Sequence, residues 1–192
     1  MTLQFTGERI VPQASNCEPL FAEKMYQEHI ARYFFASQWI KDKSVLDVGC
    51  GVGYGAHWMA INGAARVRAF DLSPEAISHA KQFYAADTVT FEEASATDFS
   101  FDELFDVITC FEVIEHIEEQ SAAIRCMCKA LKPGGVLIIS TPRALERKRS
   151  DFHTREFSEE EFRALLAPCF PHVHFYFVNN HFVSLVADGA PA

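Results

Sequence analysis

The sequence predicts an α/β fold, a doubly wound and mostly parallel sheet with helices on both faces. Three observations carry that prediction. Short apolar runs alternate with helical stretches between Ser44 and Ser140, and parallel strands need helical crossovers. Phe105-Asp106-Val107-Ile108-Thr109-Cys110-Phe111 and Val136-Leu137-Ile138-Ile139-Ser140 are near-continuous apolar runs, which suits strands covered on both faces. Residues 173–178 and 182–186 then read as consecutive strands separated by Asn179-Asn180-His181, which predicts an antiparallel C-terminal hairpin closing the sheet.

Each element has a local reason. From Glu18 to Lys41 the apolar residues Leu20, Phe21, Met25, Ile30, Tyr33, Phe34 and Trp39 recur at three- and four-residue steps, predicting an amphipathic helix or helix pair. Ser44-Val45-Leu46-Asp47-Val48 is the first strand, followed by glycines and by a helix from Tyr54 to Asn62 that Gly63 stops. A second strand over residues 67–70 ends at Asp71. Ser73 is placed to cap the next helix and Pro74 to occupy its first position, with Ala76, Ile77, Ala80 and Phe83 turned inward. Val89-Thr90-Phe91 is the third strand and residues 105–111 the fourth. A helix from about Ser121 to Leu131 follows, and Lys132-Pro133-Gly134-Gly135 breaks it before the fifth strand, residues 136–140. Ser158, with Glu161 three residues on, forms a capping box at the start of the last helix.

Composition bounds the function classes. The 192 residues hold no internal repeat and no linker, so one domain over 1–192 is expected, with an N-terminal helical cap over 1–43 and a core over 44–192. Hydrophobic residues make up 49% and charged residues 22%, enough to bury a core and too apolar for a disordered chain. A formal net charge of −9 repels phosphate backbones and anionic headgroups, which makes nucleic acid an unexpected partner. No apolar run approaches the roughly 18 residues of a spanning helix, and Met1-Thr2-Leu3-Gln4-Phe5 lacks the order of a signal peptide. The expectation is a cytoplasmic protein with no membrane role. Cys17, Cys50, Cys110, Cys126, Cys128 and Cys169 are scattered without the usual metal or redox spacing, as expected of reduced structural thiols.

In such sheets ligands bind beyond the carboxyl ends of the strands. There the first strand gives Asp47-Val48-Gly49-Cys50-Gly51-Val52-Gly53-Tyr54-Gly55. Glycines at a strand-to-helix turn let the backbone approach a ligand and aim its N–H groups at it. Gly51, Gly53 and Ala56 also satisfy the dinucleotide fingerprint, which keeps an NAD(P)-binding oxidoreductase open. Asp47 weighs against it, because an acid just before the loop would repel a diphosphate and attract a cation. Asp71 is placed to accept hydrogen bonds from a ribose diol, or to cap the helix near Ser73. After the third strand, Ala94-Ser95-Ala96-Thr97-Asp98 puts a polar segment where an adenine edge could be read.

Residues 45–53, 69–73, 96–98, 105–116 and 131–142, in that order and spacing, resemble class I S-adenosylmethionine-dependent methyltransferases, with a Rossmann-like, seven-stranded sheet. The resemblance covers about residues 44 to 142. It implies S-adenosylmethionine as cofactor, with Gly49, Gly51 and Gly53 lining its methionine part and Asp47 near its ammonium. It implies ribose contacts from Asp71, with Leu72 beside it, adenine contacts from Ala96, Thr97 and Asp98, and further contacts from Phe111 and Glu112. The flanks, Phe5-Thr6-Gly7-Glu8-Arg9-Ile10-Val11-Pro12, Glu28-His29-Ile30-Ala31-Arg32-Tyr33 and Phe152-His153-Thr154-Arg155-Glu156-Phe157, resemble bacterial methyltransferases linked with surface-glycan synthesis. In Thr141-Pro142-Arg143 the chain departs from that group, which tends to carry Asn after the proline.

Methyl transfer is an in-line displacement governed by positioning, and a weakly nucleophilic hydroxyl gains from a base. Histidine suits that task at neutral pH. If Phe111-Glu112-Val113-Ile114-Glu115-His116 opens a helix, Glu112, Glu115 and His116 share a face. The two carboxylates would raise the histidine's pKa, making His116 a base or, with them, part of a metal ligand set. Glu-x-x-Glu-His also resembles the metal-binding segment of some class I enzymes, among them small-RNA 2′-O-methyltransferases and ubiquinone-pathway O-methyltransferases. There a later histidine completes the site, as His153 would here, so Glu112, Glu115, His116 and His153 form a divalent-metal hypothesis. Without metal, His116 or His153 is the base, with Glu115 as its companion.

Of the other histidines, His29 lies on the N-terminal helix, which would lid the cofactor. His57 and His79 read as surface residues of crossover helices, and His172, His174 and His181 as the solvated face of the hairpin. Arg143, Arg147, Lys148, Arg149 and Arg155 form either a solvated loop or a patch for an anionic substrate such as a nucleotide-linked sugar. The expected acceptor is a small-molecule or saccharide hydroxyl. A third function class is a non-catalytic nucleotide-binding partner subunit. The phenylalanines near the terminal strands, Phe170, Phe175, Phe177 and Phe182, are core or, where exposed, the surface of a homodimer.

Overall fold

The computed structural model describes residues 11, 19–144, 153–178 and 181–187. The chain forms two compact units, residues 1–94 and 95–192. In the first, α1 (Pro19–Ile40) precedes β1 (Ser44–Val48), α2 (Tyr54–Ile61), β2 (Arg66–Asp71), α3 (Pro74–Phe83) and β3 (Val89–Glu93). The strands pair in parallel in the order β3-β2-β1. Val45, Val67 and Val89 lie abreast, and every residue of β1 is buried. Helical crossovers on a parallel sheet produce that burial.

The caps are where the sequence places them. The Ser73 hydroxyl accepts from the Ala76 N–H at 3.2 Å, and Pro74 opens α3. Helix α3 buries Ala76, Ile77 and Ala80, but Phe83, expected inward, is 60% exposed at the helix end and stacks on His79 at 4.5 Å. Helix α1 is one helix rather than a pair. Its buried stripe is Arg32, Tyr33, Ala36 and Ile40, whereas Leu20 and Phe34 are 75% and 68% exposed. Phe34 is turned about 100° from Tyr33 on the helix, so the two cannot share one face, and the stripe that packs contains the tyrosine.

In the second unit β4 (Phe105–Phe111) leads through a 3₁₀ turn (Ile114–His116) to α4 (Gln120–Ala130), β5 (Leu131–Pro142), α5 (Glu159–Leu166), β6 (His172–Val178) and β7 (His181–Ala187). The order is β4-β5-β7-β6. β4 and β5 are parallel, and β7 pairs antiparallel with both β5 and β6. His181 opens β7 instead of lying in the turn. The β4–β5 register shifts between Phe105 and Val107, the partner segment there being Lys132-Pro133-Gly134-Gly135, where a proline lacks the ladder N–H. Beyond that shift β5 pairs with β4 as far as Ser140, and Leu137 through Thr141 are buried. The Ser158–Glu161 capping box is complete, with reciprocal bonds of 3.2 and 2.9 Å, and α5 buries Phe162 and Leu166.

Cys50, Cys110, Cys126, Cys128 and Cys169 form no disulfide among the described residues. Cys17, the Phe5–Pro12 motif apart from Val11, Phe152, Asn179 and Asn180 lie outside them. None of the described helices is long and apolar enough to cross a membrane.

Candidate active site

β1 carries Asp47 to the start of the glycine loop and buries it to 1% exposure. The loop turns through left-handed Gly49 (φ 72°), Gly51 (φ 54°) and Gly53 (φ 93°). The N–H groups of Gly49 and Cys50 both donate to the Phe70 carbonyl at 2.9 Å. Asp71, one residue on, accepts from the Gly51 N–H on Oδ2 and from the Ser73 N–H on Oδ1, each at 2.9 Å. It therefore braces the loop and the start of α3. A Cβ on Gly51 would meet nothing within 4 Å, whereas one on Gly53 would strike Ala80 Cβ at 2.6 Å and the Phe91 ring at 2.9 Å. Gly51 thus leaves open space beside its backbone, and Gly53 is required by packing. Leu72, after Asp71, is 70% exposed.

Helices α1 and α2 bring tyrosines near Asp47 to which the sequence assigns no role. The Tyr33 hydroxyl donates to Asp47 Oδ2 at 3.3 Å. Tyr54 stands edge-on to Tyr33 and to Tyr26, and its hydroxyl lies 3.1 Å from His29 Nδ1. Burial, and then the negative charge of Asp47, push both the Tyr33 and Tyr54 phenols well above the ordinary 10.0, keeping them protonated donors. Arg32 is buried to 3% and donates to the Glu28 carbonyl at 2.7 Å. A Cβ on Gly55 would overlap the Tyr33 ring, so that glycine admits the tyrosine. The signal was available in Glu28-His29-Ile30-Ala31-Arg32-Tyr33, but no sequence spacing links it to Asp47.

In the second unit the segment Ser95–Asp98 is a turn, closed by the Asp98 N–H on the Ser95 carbonyl at 3.2 Å and by the paired hydroxyls of Ser95 and Thr97 at 2.9 Å. Ala96 is half-buried within it and Asp98 is exposed. Phe111 ends β4, buried to 6%. Glu112 then takes φ 57°, a left-handed conformation that non-glycine residues hold only where the surroundings enforce it. Ser140 enforces it: its carbonyl accepts the Glu112 N–H at 3.2 Å and its hydroxyl donates to Glu112 Oε1 at 2.7 Å.

That strained residue corrects the expected helical face. Only the short 3₁₀ turn follows, so Glu112 does not join Glu115 and His116. The group that does assemble is Glu115, His116 and His153, whose ligand atoms lie within 4.8 Å of one another. Glu115 is fully buried, and its Oε2 accepts from the Thr141 hydroxyl at 3.1 Å. Its carbonyl accepts from the Thr154 N–H (2.8 Å), the Arg155 N–H (3.2 Å) and the Thr154 hydroxyl (2.7 Å). Those bonds hang the later loop on the 3₁₀ turn and bring His153 to His116, ring centroids 5.1 Å apart at 75°. His153 Nδ1 lies 2.9 Å from Glu156 Oε1, with the two side chains 10% and 7% exposed. Thr141, Thr154 and Glu156 stand in segments that carry the resemblance, but the sequence assigns them no role in the site.

The other candidates separate. Arg155 pairs with Glu161 at 2.8 Å and Arg143 lies over the Phe177 ring at 5.8 Å, while Arg147, Lys148 and Arg149 lie outside the described residues. His57 and His79, expected at the surface, are half-buried. His57 Nδ1 sits 3.2 Å from the Tyr84 carbonyl, and burial lowers the His79 pKa. His172 and His174 are exposed as the alternation predicts. Phe170 is core, at 1% exposed, and Phe177 is 55% exposed.

A family model described as a methyltransferase domain matches residues 21–186. The chain is 30% identical over 171 residues to a probable S-adenosylmethionine-dependent methyltransferase of Mycobacterium tuberculosis, covering 85% of this chain and 60% of that protein. It is 38% identical over 103 residues to a ubiquinone biosynthesis O-methyltransferase of Pseudomonas syringae pv. tomato, covering 52% of this chain and 44% of that one. The chain thus spans less than two thirds of the length of these curated relatives. Among solved structures, the DhpI complex with SAH superposes with a TM-score of 0.71 at 21% identity, over 88% of each chain, a likeness of fold. On the match of its methyltransferase domain, the chain belongs to the family of class I S-adenosylmethionine-dependent methyltransferases.

Proposed function

We propose that the protein transfers a methyl group from S-adenosylmethionine to a hydroxyl of a small molecule or saccharide, residues 1–192 acting as one methyltransferase domain with a helical cap over 1–43. The open space at Gly51 and the Asp71 carboxylate beside it fit the cofactor's backbone-hugging amino-acid part and its ribose diol. The buried Asp47 carboxylate fits its ammonium. Leu72 and, in the second unit, Ala96, Thr97, Asp98, Phe111 and Glu112 complete the proposed cofactor contacts. The cofactor supplies the electrophilic methyl on sulfur; this chain's residues orient it and remove the proton from the acceptor oxygen.

The observation that carries the choice of a hydroxyl is the convergence of Glu115, His116 and His153. A histidine beside a buried carboxylate can take a hydroxyl proton as the bond to the methyl carbon forms, an effect typically of about 100- to 10,000-fold. The resemblance to ubiquinone biosynthesis O-methyltransferase supports oxygen as the methylated atom. The same donors also support a second reading. One carboxylate oxygen and two imidazoles suit a divalent transition metal, which would supply Lewis acidity at the acceptor oxygen, held by Glu115, His116 and His153.

Two measurements test this. S-adenosylhomocysteine at 100 times its Kd should raise the melting temperature by roughly 5 to 10 °C, with no shift from NAD or NADP; the reverse pattern overturns the methyltransferase reading. Methyl transfer to a panel of sugars, nucleotide sugars and phenols should then fall steeply in His116→Ala or His153→Ala with cofactor affinity retained. Unchanged turnover in both variants overturns the assignment of the base and of the metal ligands alike.

A further inference from the structure

We propose that Glu156 is a positioning residue for His153, holding its Nδ1–H so that Nε2 is the nitrogen that works on the acceptor proton or the metal. The inference rests on the function proposed above and adds a carboxylate that belongs neither to the cofactor contacts nor to the group of Glu115, His116 and His153.

A neutral imidazole has one protonated and one basic nitrogen, and the partner of one nitrogen decides the character of the other. An ionised carboxylate only accepts, so a hydrogen bond from His153 to Glu156 Oε1, 2.9 Å from its Nδ1, places the proton on Nδ1. The pair is built to hold that state. The two side chains are only 10% and 7% exposed, which limits competition from water. The backbone is pinned between them and after them. Between the two residues, Thr154 and Arg155 donate their N–H groups to the Glu115 carbonyl at 2.8 and 3.2 Å. Downstream, Phe157, buried to 1%, accepts the Ala144 N–H at 2.8 Å. Phe157 also stacks on Phe162 of α5 at 5.2 Å, and Ser158 opens that helix with the complete capping box. A residue three positions after the histidine is thereby held in a fixed place relative to its ring.

Physical necessity supports the assignment. Without a partner on Nδ1, neutral histidine distributes between two tautomers and its ring can rotate. With Glu156 in place, both the ring plane and the basic nitrogen are set, and the carboxylate stabilises the imidazolium formed when Nε2 takes a proton. Should Nε2 hold a metal instead, the same carboxylate behind it raises ligand basicity, a contribution usually of about 10- to 100-fold in affinity or activity.

The test is nitrogen-15 NMR of the full-length protein labelled at histidine, in chelator-treated buffer well above the ordinary imidazole pKa of about 6.5. Wild-type His153 should show a protonated Nδ1 and a basic Nε2, assigned by its loss in His153→Ala. Glu156→Leu should shift the population toward the Nε2–H form, with turnover reduced about 10- to 100-fold and the Kd for S-adenosylhomocysteine unchanged. The nearly isosteric Glu156→Gln, whose amide oxygen can still accept from Nδ1, should keep the tautomer and recover part of the rate. A wild-type Nε2–H tautomer, or one that Glu156→Leu leaves unchanged, overturns the inference. If Glu156→Leu does not fold, Glu156→Gln with its side-chain amide nitrogen turned to a basic Nδ1 and His153 in the Nε2–H form overturns it as well. A tautomer that follows Glu156 while His153→Ala retains full turnover leaves the positioning intact and refutes the proposed role of the histidine.

Discussion

Two buried carboxylates of this protein differ in what surrounds them. Asp47, at 1% exposure, lies at the end of β1 and receives a tyrosine hydroxyl; Glu115, fully buried after β4, receives a threonine hydroxyl. Their other surroundings differ in kind. Near Asp47 stand phenols whose pKa burial drives upward, groups that donate at any physiological pH and never exchange a proton there. Near Glu115 stand two imidazoles, His116 and His153. A carboxylate framed by permanent donors is suited to holding a cation in place, and one framed by imidazoles to handling a proton or a metal.

That contrast can be broken by exchanging what each acid contributes. Glu115→Gln, which keeps the shape and removes the charge, should lower turnover by about 100-fold or more while the Kd for S-adenosylhomocysteine stays within twofold by calorimetry; an equal loss in both would make Glu115 a folding residue. Asp47→Asn should do the opposite. It removes a charge-assisted contact of about 1.5 to 3 kcal/mol, so affinity for S-adenosylhomocysteine should fall roughly 10- to 100-fold while turnover at saturating cofactor is largely kept.

The phenol frame predicts a pH signature. The Tyr33 pKa is raised above 10.0 in the folded chain, so folding favours its neutral form. That contribution is present in full below pH 10.0 and is lost as pH rises through the higher folded value. Denaturant titrations should therefore show stability declining above pH 10.0 in the wild type, with a shallower decline in Tyr33→Phe. At neutral pH Tyr33→Phe should cost about 1 to 3 kcal/mol, because it leaves a buried carboxylate short of a donor. The smallest effect belongs to the loop that carries His153. Ser158→Ala removes the cap of α5, and thermal unfolding should register about 1 kcal/mol; no change at all would mean that α5 does not contribute to anchoring that loop.

The glycine loop and the acids at the ends of the first two strands were legible in the sequence because a strand-to-helix turn leaves few residue types able to serve it. The caps at Ser73 and Ser158 were legible for the same reason: each is decided by neighbours within three residues. The same kind of local rule does not hold at Glu112, where its condition, a helix opening at that residue, is not met. Its spacing to Glu115 and His116 fits a helix, but two bonds from Ser140, a residue 28 positions away, hold it left-handed and cut the face apart.

What local spacing determined here, then, is the alternation of elements, the capping and the chemistry available at the strand ends. Tertiary structure alone decided which of those groups meet. Tyr33 reaches Asp47 because Gly55 carries no side chain to exclude it, and Phe34, its neighbour in sequence, faces away. His153 reaches His116 because three bonds tie its loop to the Glu115 carbonyl. Contacts of that kind depend on distances between segments far apart in the chain, and no local propensity encodes them.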